Sequence, residues 1–544
     1  MPPFRAARRL PATLIPIAGL FAMLLASASA FGYRSGSAHR SLHPAAGAAR
    51  AASLHKAIAA LLSRPEVSQA HWGISVAGVD GTSIYTRNDA RFFTPASNAK
   101  LMTTAAAFAL LPKGLTFTTR AVTTGRLDRS GVLHGDIAIL GSGDPDMSDV
   151  TLPYGSGARS SGSPLAALEE MADQIAARGV HSVQGDIVGD DTWFVFEPYP
   201  TGWAWDDLQW DYGAPVSALS VNDNVVFLNA LPGPRVGARA EAAWFPATAY
   251  YEVENELATG PPASEPAPGI DRRPGSRMVR IYGQIPASQG GLHAGLAIED
   301  PAEYAAQSLK EMLLARGVNV AGQARARHRF SSDTGSYLQE QEQPLALHAV
   351  NMGTVEPPAG GAAVLATHVS PPLDEDLTLT NKVSQNLHAE LALRTLGKLE
   401  GSDGSLVEGS RVVRQFLVDA GVRPGDFLLF DGCGLSRQDL VTPRALVSLL
   451  AYAANQSWGR QFRESLPVGG VDGTLAGRFK SASLRGRVFA KTGTMGESND
   501  LSGYLIAASG RTIVFSILCN NRLASSVAER RTMDKIVAAI AEFD

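Results

Sequence analysis

From residue 71 the chain sets apolar against polar positions in a period of two. "HWGISVAG" reads as a strand, Asp80-Gly81 as a tight turn, and "TSIYTRND" as a second strand, together a β-hairpin. Ahead of it, Ala51 to Leu62 repeats apolar residues at helical spacing and predicts an amphipathic helix. Behind it, "TPASNAKLMTTAAAFALLP" is apolar or small almost throughout. Pro95 discourages helix before it and Pro112 ends the pattern, so the spacing predicts a helix from about Ser97 to Leu111.

Residues from about 118 to 330 read differently. Short strands such as "RAVTTG", "GDIAILG", "VQGDIVGDD" and "MVRIYGQI" alternate with helices such as "SPLAALEEMADQIAARG" and "PAEYAAQSLKEMLLARG". This is a mixed α+β region. Within it, residues 258–277 are rich in Pro and Gly and predict a mobile loop, as do Val355 to Ala362. Helices are expected around Leu377 to Leu396 and from Ser405 to Ala420. "GRVFAKTGTMG", "LSGYLIAASG" and "RTIVFSILCN" then predict three consecutive strands, with Ser509-Gly510 turning between the last two. "SVAERRTMDKIVAAIAEF" predicts a closing amphipathic helix. No internal repeat is visible. The simplest topology is one α/β domain built from both ends of the chain, with a large insertion after the Ser97 helix.

Composition narrows the function. The 544 residues allow roughly two to four domains at about 100–200 residues each. Apolar residues at 45% and charged residues at 18% permit large cores, and a formal net charge of -4 gives no basic face for nucleic acid. Arg5, Arg8 and Arg9, the apolar run Leu14 to Leu25 and the small residues Ala26 to Ala30 form a secretory pattern over 1–30; an uncleaved anchor is the alternative. No other stretch approaches ~18 unbroken apolar residues, so export and a soluble mature chain are expected. Cys433 and Cys519 are the two cysteines, and the simplest reading is a pair of small buried hydrophobes. The lack of His/Cys clusters gives no metal-ligand spacing, and no metal is expected.

The candidate chemistry begins at Ser97. A serine hydroxyl is a poor nucleophile until a base takes its proton. Lys100 lies three residues on, on the same helical face. The helix N-terminus and apolar neighbours disfavour its charge, so a neutral amine can act as the base. Ser53 to Lys56 repeats the spacing, but on a surface helix, and is taken as chance. Two further motifs follow. Ser384-Gln385-Asn386 offers a hydroxyl to relay a proton to a leaving amine and an amide to hold substrate. Lys491-Thr492-Gly493-Thr494 offers a positive charge and two hydroxyls for a carboxylate, and a glycine that lets a substrate backbone lie against a strand edge. Backbone N–H groups of Ser97 and Thr494 would form an oxyanion hole. Ser220-Val221-Asn222 also fits S-x-N, but it lies inside the insertion, and Ser384 is preferred.

S-x-x-K, S-x-N and K-T-G in that order are the three elements of penicillin-interacting serine enzymes. With "GDIAILGSGDPDMS", "YGAPVSALSVNDN", "ATHVSPPLDEDLTLTNKVSQNLHAE", "DGCGLSRQDLVTP" and "LPVGGVDGTLAGRF", the chain resembles the D-alanyl-D-alanine carboxypeptidase/endopeptidases of the class C low-molecular-mass penicillin-binding proteins (the DacB type, peptidase family S13) from about residue 50 to 540. The resemblance implies a transpeptidase-like α/β domain, an antiparallel sheet flanked by helices, from 50–117 and 331–544. It implies two accessory α+β domains, one nested in the other, within 118–330, and residues 31–49 are left as a linker. It implies release of terminal D-Ala from peptidoglycan stem peptides, cleavage of D-Ala–diaminopimelate crosslinks, covalent inhibition by β-lactams and no cofactor. A periplasmic location follows from family habit, and a homodimer is a candidate assembly. Two departures stand out: Cys433 replaces the usual serine of "DGSGLS", and Asp333 to Ala362 is longer and richer in Pro and Gly than expected. Rival readings are a β-lactamase or esterase on the same fold, which needs faster deacylation, and a non-catalytic cell-wall scaffold.

Overall fold

The computed structural model describes residues 44–155 and 162–543. The expected signal segment 1–30 and residues 31–43 of the linker lie outside them. Among the described residues no helix is long and apolar enough to cross a membrane.

Five antiparallel strands carry the site: β1 (His71–Gly78), β2 (Ser83–Arg87), β3 (Val488–Thr494), β4 (Ser498–Ile506) and β5 (Thr512–Asn520), in the order β2-β1-β5-β4-β3. The two ends of the chain meet where β1 pairs with β5, from His71 opposite Asn520 to Gly78 opposite Ile513. Alternation decides which layer each residue of β5 joins. Val514 and Leu518 face a helical layer, whereas Ile513, Phe515, Ile517 and Cys519 face the opposite side. There, Leu54, Ile58 and Leu62 of the helix Pro44–Leu62 and Met533, Ile536, Val537 and Ile540 of the helix Ala528–Phe543 close the core. Their spacing of three and four residues is what makes one apolar stripe of each helix. The other layer packs the helices Lys100–Leu110, Asn386–Leu396, Leu406–Asp419 and Pro443–Ala454 around Leu101, Leu393, Val412 and Leu446.

The insertion has its own core. A mixed sheet joins Thr116–Thr123, Ile137–Leu140, Ile187–Asp190 and Ala324–Arg327, and Ala363–Val369 pairs antiparallel with Thr116–Thr123 on its way back to the catalytic layer. Two smaller sheets are made from residues between 225 and 297, bracketed in sequence by that larger sheet.

Two expectations need correction. Residues 258–277 are not a loop throughout: Ala258–Gly260 and Ala267–Asp271 are strands, both paired with Met278–Pro286. Pro268 is tolerated because its strand pairs on one side only, so no ladder donor is lost. The helix expected over Leu377 to Leu396 is two helices, Leu373–Val383 and Asn386–Leu396. Apolar periodicity runs through the junction, but Ser384 takes a left-handed φ of 65° and the Gln385 side chain caps the second helix by accepting from Leu387 N at 2.9 Å.

Gly503 tests how tightly β3 and β4 approach. A Cβ there would stand 2.1 Å from the Phe489 carbonyl oxygen, whereas at Gly510, in the β4–β5 turn with φ 87°, it would meet nothing. Gly503→Ala should cost about 3 kcal/mol or more through overpacking. Gly510→Ala should cost about 1–2 kcal/mol through backbone strain alone. Melting temperatures of the two variants check the order.

Candidate active site

Ser97, the candidate nucleophile, sits in a strained turn. Ala96–Ala99 is a 3₁₀ turn leading into the helix Lys100–Leu110, and Ala96 holds a left-handed φ of 42°. A 3₁₀ turn eclipses residues three apart, which brings Lys100 Nζ to 3.0 Å from Ser97 Oγ. Two glycines admit the backbone around this turn. A Cβ on Gly434 would lie 1.8 Å from Ala96 O, and one on Gly493 would lie 2.7 Å from both Pro95 O and Asn98 Nδ2. The missing side chain of Gly493 therefore makes room for the nucleophile segment itself.

Lys100 is fully buried. Its amine also meets Asn386 Oδ1 at 2.6 Å and Cys433 O at 2.7 Å. Burial holds its pKa below the ordinary lysine value, against the opposing pull of Cys433, Asp431, Glu390 and Asp439. A neutral amine suits this cage. Its two hydrogens go to the Asn386 and Cys433 oxygens, and its lone pair is left for the Ser97 proton.

The wall behind Lys100 is acidic. Glu390 Oε1 accepts from the N–H groups of Gly432 and Cys433, each at 2.8 Å. Burial, helped by Asp431, pushes its carboxyl up to about 8. Asp431 accepts from Gly434 N at 2.6 Å, Ser436 N at 2.6 Å and Trp203 Nε1 at 2.9 Å. These bonds fix the "DGCGLS" loop and so the carbonyl that receives Lys100. Both cysteines are free and buried, and Cys433 Sγ lies 3.5 Å from Asp431 Oδ2. The position acts on Lys100 through its backbone, which a serine-to-cysteine change leaves in place.

The break between helices presents the second motif. Ser384 Oγ accepts from Lys491 Nζ at 2.8 Å, and the same amine reaches Thr492 O at 3.0 Å. Lys491 is fully buried, and burial together with the Lys100 charge holds its pKa well below normal. Asn386 Nδ2 donates to Tyr212 O at 2.7 Å, so its amide links Lys100 to the insertion. Along β3, Thr492 turns to the other face and donates to Thr474 Oγ1 at 2.8 Å, while Thr494 donates to Asn499 Oδ1 at 3.3 Å.

Ser97, Ser384, Asn386 and Thr494 line one cleft of about 340 Å³, closed on its far side by Asp207, Tyr212, Leu435 and Arg437. Arg437 is paired with Glu497 at 2.7 Å and stands 3.9 Å from Asp207. Lys100, Lys491 and Gly493 are buried against the lining residues. Sequence reasoning missed Glu390, Asp207, Tyr212 and Arg437; "DGCGLS" was visible, but nothing local tied it to Lys100. The chance motifs stay apart. Ser53 and Lys56 are exposed on the helix Pro44–Leu62. Ser220 Oγ donates to Ser217 O and Asn222 Nδ2 to Val225 O, inside a tight turn.

The profile of the D-Ala-D-Ala carboxypeptidase 3 (S13) family matches residues 54–352 and 348–543. The chain belongs to that family. It is 32% identical over 510 residues to a D-alanyl-D-alanine carboxypeptidase of Actinomadura sp. (strain R39), covering 92% of this chain and 86% of the relative. It is 25% identical over 435 residues to the D-alanyl-D-alanine carboxypeptidase DacB of Haemophilus influenzae, covering 79% and 80%. The crystal structure of penicillin binding protein 4 (dacB) from H. influenzae shares the fold, with a TM-score of 0.72 at 21% identity over 89% of this chain and 98% of that one. That relative has also been solved in complex with a β-lactam, with a TM-score of 0.68 and the same 21% identity and coverage. This S13 chain is thus a serine hydrolase of the D-alanyl-D-alanine carboxypeptidase type.

Two measurements test the lysine cage. A depressed pKa keeps the Lys100 amine neutral to lower pH, so the rate of acylation by benzylpenicillin should rise along an acid limb that lies below the ordinary lysine value. A limb near that value would show a charged resting lysine. The Glu390 carboxyl is neutral below about pH 8, and an amide oxygen can accept the same two N–H groups. Glu390→Gln should therefore acylate within about threefold of wild type at about pH 6.5, whereas Glu390→Ala, which leaves both donors unpaired, should lose about 1–3 kcal/mol of stability and acylate more slowly.

Proposed function

We propose that Ser97 is the nucleophile of a DD-peptidase that releases the terminal D-Ala from peptidoglycan stem peptides and opens D-Ala–diaminopimelate crosslinks outside the cytoplasmic membrane. The contact of the buried Lys100 amine, whose charge burial disfavours, with Ser97 Oγ at 3.0 Å carries the reading.

The contacts of Lys100 with Ser97 and of Lys491 with Ser384 support the following steps. Substrate lies along β3 with its terminal carboxylate toward Lys491 and Thr494, while Thr492, which donates to Thr474 on the other face, takes no part in this pose. The Lys100 lone pair takes the Ser97 proton as Oγ bonds to the carbonyl carbon of the penultimate residue. The backbone N–H groups of Ser97 and Thr494 receive the oxyanion. Ser384 Oγ gives its proton to the leaving amine and regains one from Lys491, which it already contacts at 2.8 Å. The proton that Lys100 took from Ser97 restores Lys491, so both amines end the step as they began and Lys100 is again a free base. The C–N bond breaks, D-Ala departs, and the acyl group remains as an ester on Ser97. Water then attacks that ester, with Lys100 as its base. The carboxyl product leaves and Ser97 regains its proton. A β-lactam enters by the same attack. Its ring opens, but the amine stays tethered and the ester persists. Asn386 acts in this scheme by holding Lys100 and by meeting the substrate amide.

Intact-mass spectrometry with benzylpenicillin, followed by peptide mapping, tests the scheme. One stable adduct is expected, on Ser97, and Ser97→Ala should lose both the adduct and D-Ala release from a stem pentapeptide. An adduct on Ser97→Ala would remove Ser97 from the role. Consumption of penicillin without an adduct would make the chain a β-lactamase.

A further inference from the structure

Behind the S-x-N break lies a second buried cluster that the peptidase steps do not use. The insertion supplies Asp144 and Asp146, from "SGDPDMS", and Asp223, from a turn whose residues Asn222, Asp223 and Asn224 all have positive φ. The helix Leu373–Val383 supplies Asp376, and the first turn of the helix Asn386–Leu396 supplies His388. His388 and Asp376 are fully buried, Asp144 is 1% exposed and Asp146 is 8% exposed.

The polar groups here are not balanced. His388 Nδ1 meets Asp376 Oδ1 at 2.5 Å and its Nε2 meets Asp223 Oδ1 at 3.3 Å. Among the described residues, neither carboxylate oxygen of Asp146 has a hydrogen-bond partner, and neither does Asp144 Oδ2. The ring nearest Asp144 is that of His368, 3.5 Å away, whose burial favours its neutral form. A buried carboxyl without a partner either stays protonated, the form that burial favours for Asp144 and Asp146, or gives up its proton to something positive that reaches it. One ligand atom each from Asp146, Asp376 and His388 lies within 4.8 Å of the others. Ligands at about 2.1–2.2 Å from one ion stand no more than about 4.4 Å apart, so a shift of a few tenths of an ångström closes the set.

We propose that Asp146, Asp376 and His388 Nδ1 bind one divalent cation of the Mn²⁺ kind, with Asp144 beside it. Carboxylate oxygens together with an imidazole nitrogen suit Mn²⁺ better than Ca²⁺ or Mg²⁺, which favour all-oxygen sets. The proton shared by His388 Nδ1 and Asp376 is released to solvent, and these two atoms, 2.5 Å apart, separate to about 3 Å so that both face an ion lying beside them. Nε2–H stays on Asp223, the carboxylate–histidine–metal arrangement that fixes a ligand ring. An opening of about 190 Å³ is lined by Asp223, the partner of His388 Nε2, with Ser384 and Gln385. The ion would tie the insertion to both helices that flank Ser384, and so hold the left-handed turn that presents its hydroxyl. The linear sequence hides this site because its ligands come from segments more than two hundred residues apart.

The test uses the full chain, stripped with chelator and titrated with Mn²⁺ alone. Electron paramagnetic resonance should show about one Mn²⁺ leaving the free pool per chain, and saturating Mn²⁺ should raise the melting temperature by several degrees. Asp146→Asn should lose both effects. Without Mn²⁺ it should melt no lower than stripped wild type, because it removes an unpaired carboxylate. His388→Gln is the second variant and should also lose the binding. No saturable Mn²⁺ binding by wild type would overturn the proposal. Binding that survives in Asp146→Asn would overturn it too, by placing the ion elsewhere.

Discussion

A lysine amine whose charge is disfavoured by burial is the constraint on which the site depends. Lys100 must be dry enough to lose its proton and still be held at 3.0 Å from Ser97 Oγ. Burial meets the first demand and three directed contacts meet the second. Each contact comes from a different part of the chain: the nucleophile turn, the S-x-N helix and the "DGCGLS" loop. Glu390 and Asp431 are needed because that loop would otherwise present N–H groups to a buried wall without acceptors.

The same constraint explains the close backbone packing around Ser97. A strained Ala96 persists only where its surroundings over-determine it. Gly434 on one side and Gly493 on the other supply that confinement, since a Cβ at either position would collide with the nucleophile segment. Lys491 repeats the logic of Lys100 one step away. It is buried, its charge is disfavoured partly by Lys100, and its contact is the hydroxyl of Ser384. Two lysines of depressed pKa thus each meet one serine hydroxyl at the cleft, the arrangement on which the proposed proton transfers rest.

The insertion reaches this machinery as well as surrounding it. Tyr212 accepts the amide of Asn386 through its backbone, Trp203 donates to Asp431, and Asp223 meets His388 behind Ser384. These bonds tie the S-x-N helix and the loop behind Lys100 to segments of the insertion rather than to one another alone.

What the sequence determined by itself is local. Period-two runs specified the hairpin and the three closing strands, and prolines bounded the Ser97 helix, because these depend on neighbouring residues only. The spacings of S-x-x-K, S-x-N and K-T-G named Ser97, Ser384, Asn386 and Thr494, which line the cleft, and the two lysines buried behind it, but also Thr492, which turns away to Thr474. Tertiary structure decided everything that needs an approach between distant segments. Periodicity alone ran one helix through Ser384, where a left-handed turn intervenes. Composition alone made a loop of residues 258–277, where pairing with Met278–Pro286 turns short pieces into strands. Glu390 looks like an ordinary helical glutamate until Gly432 and Cys433 arrive beside it. Gly493 looks like room for a substrate until Pro95 and Asn98 fill the space. Hydrogen bonds, burial and the resulting pKa shifts belong to pairs of atoms, and the partners of these residues lie tens to hundreds of positions away.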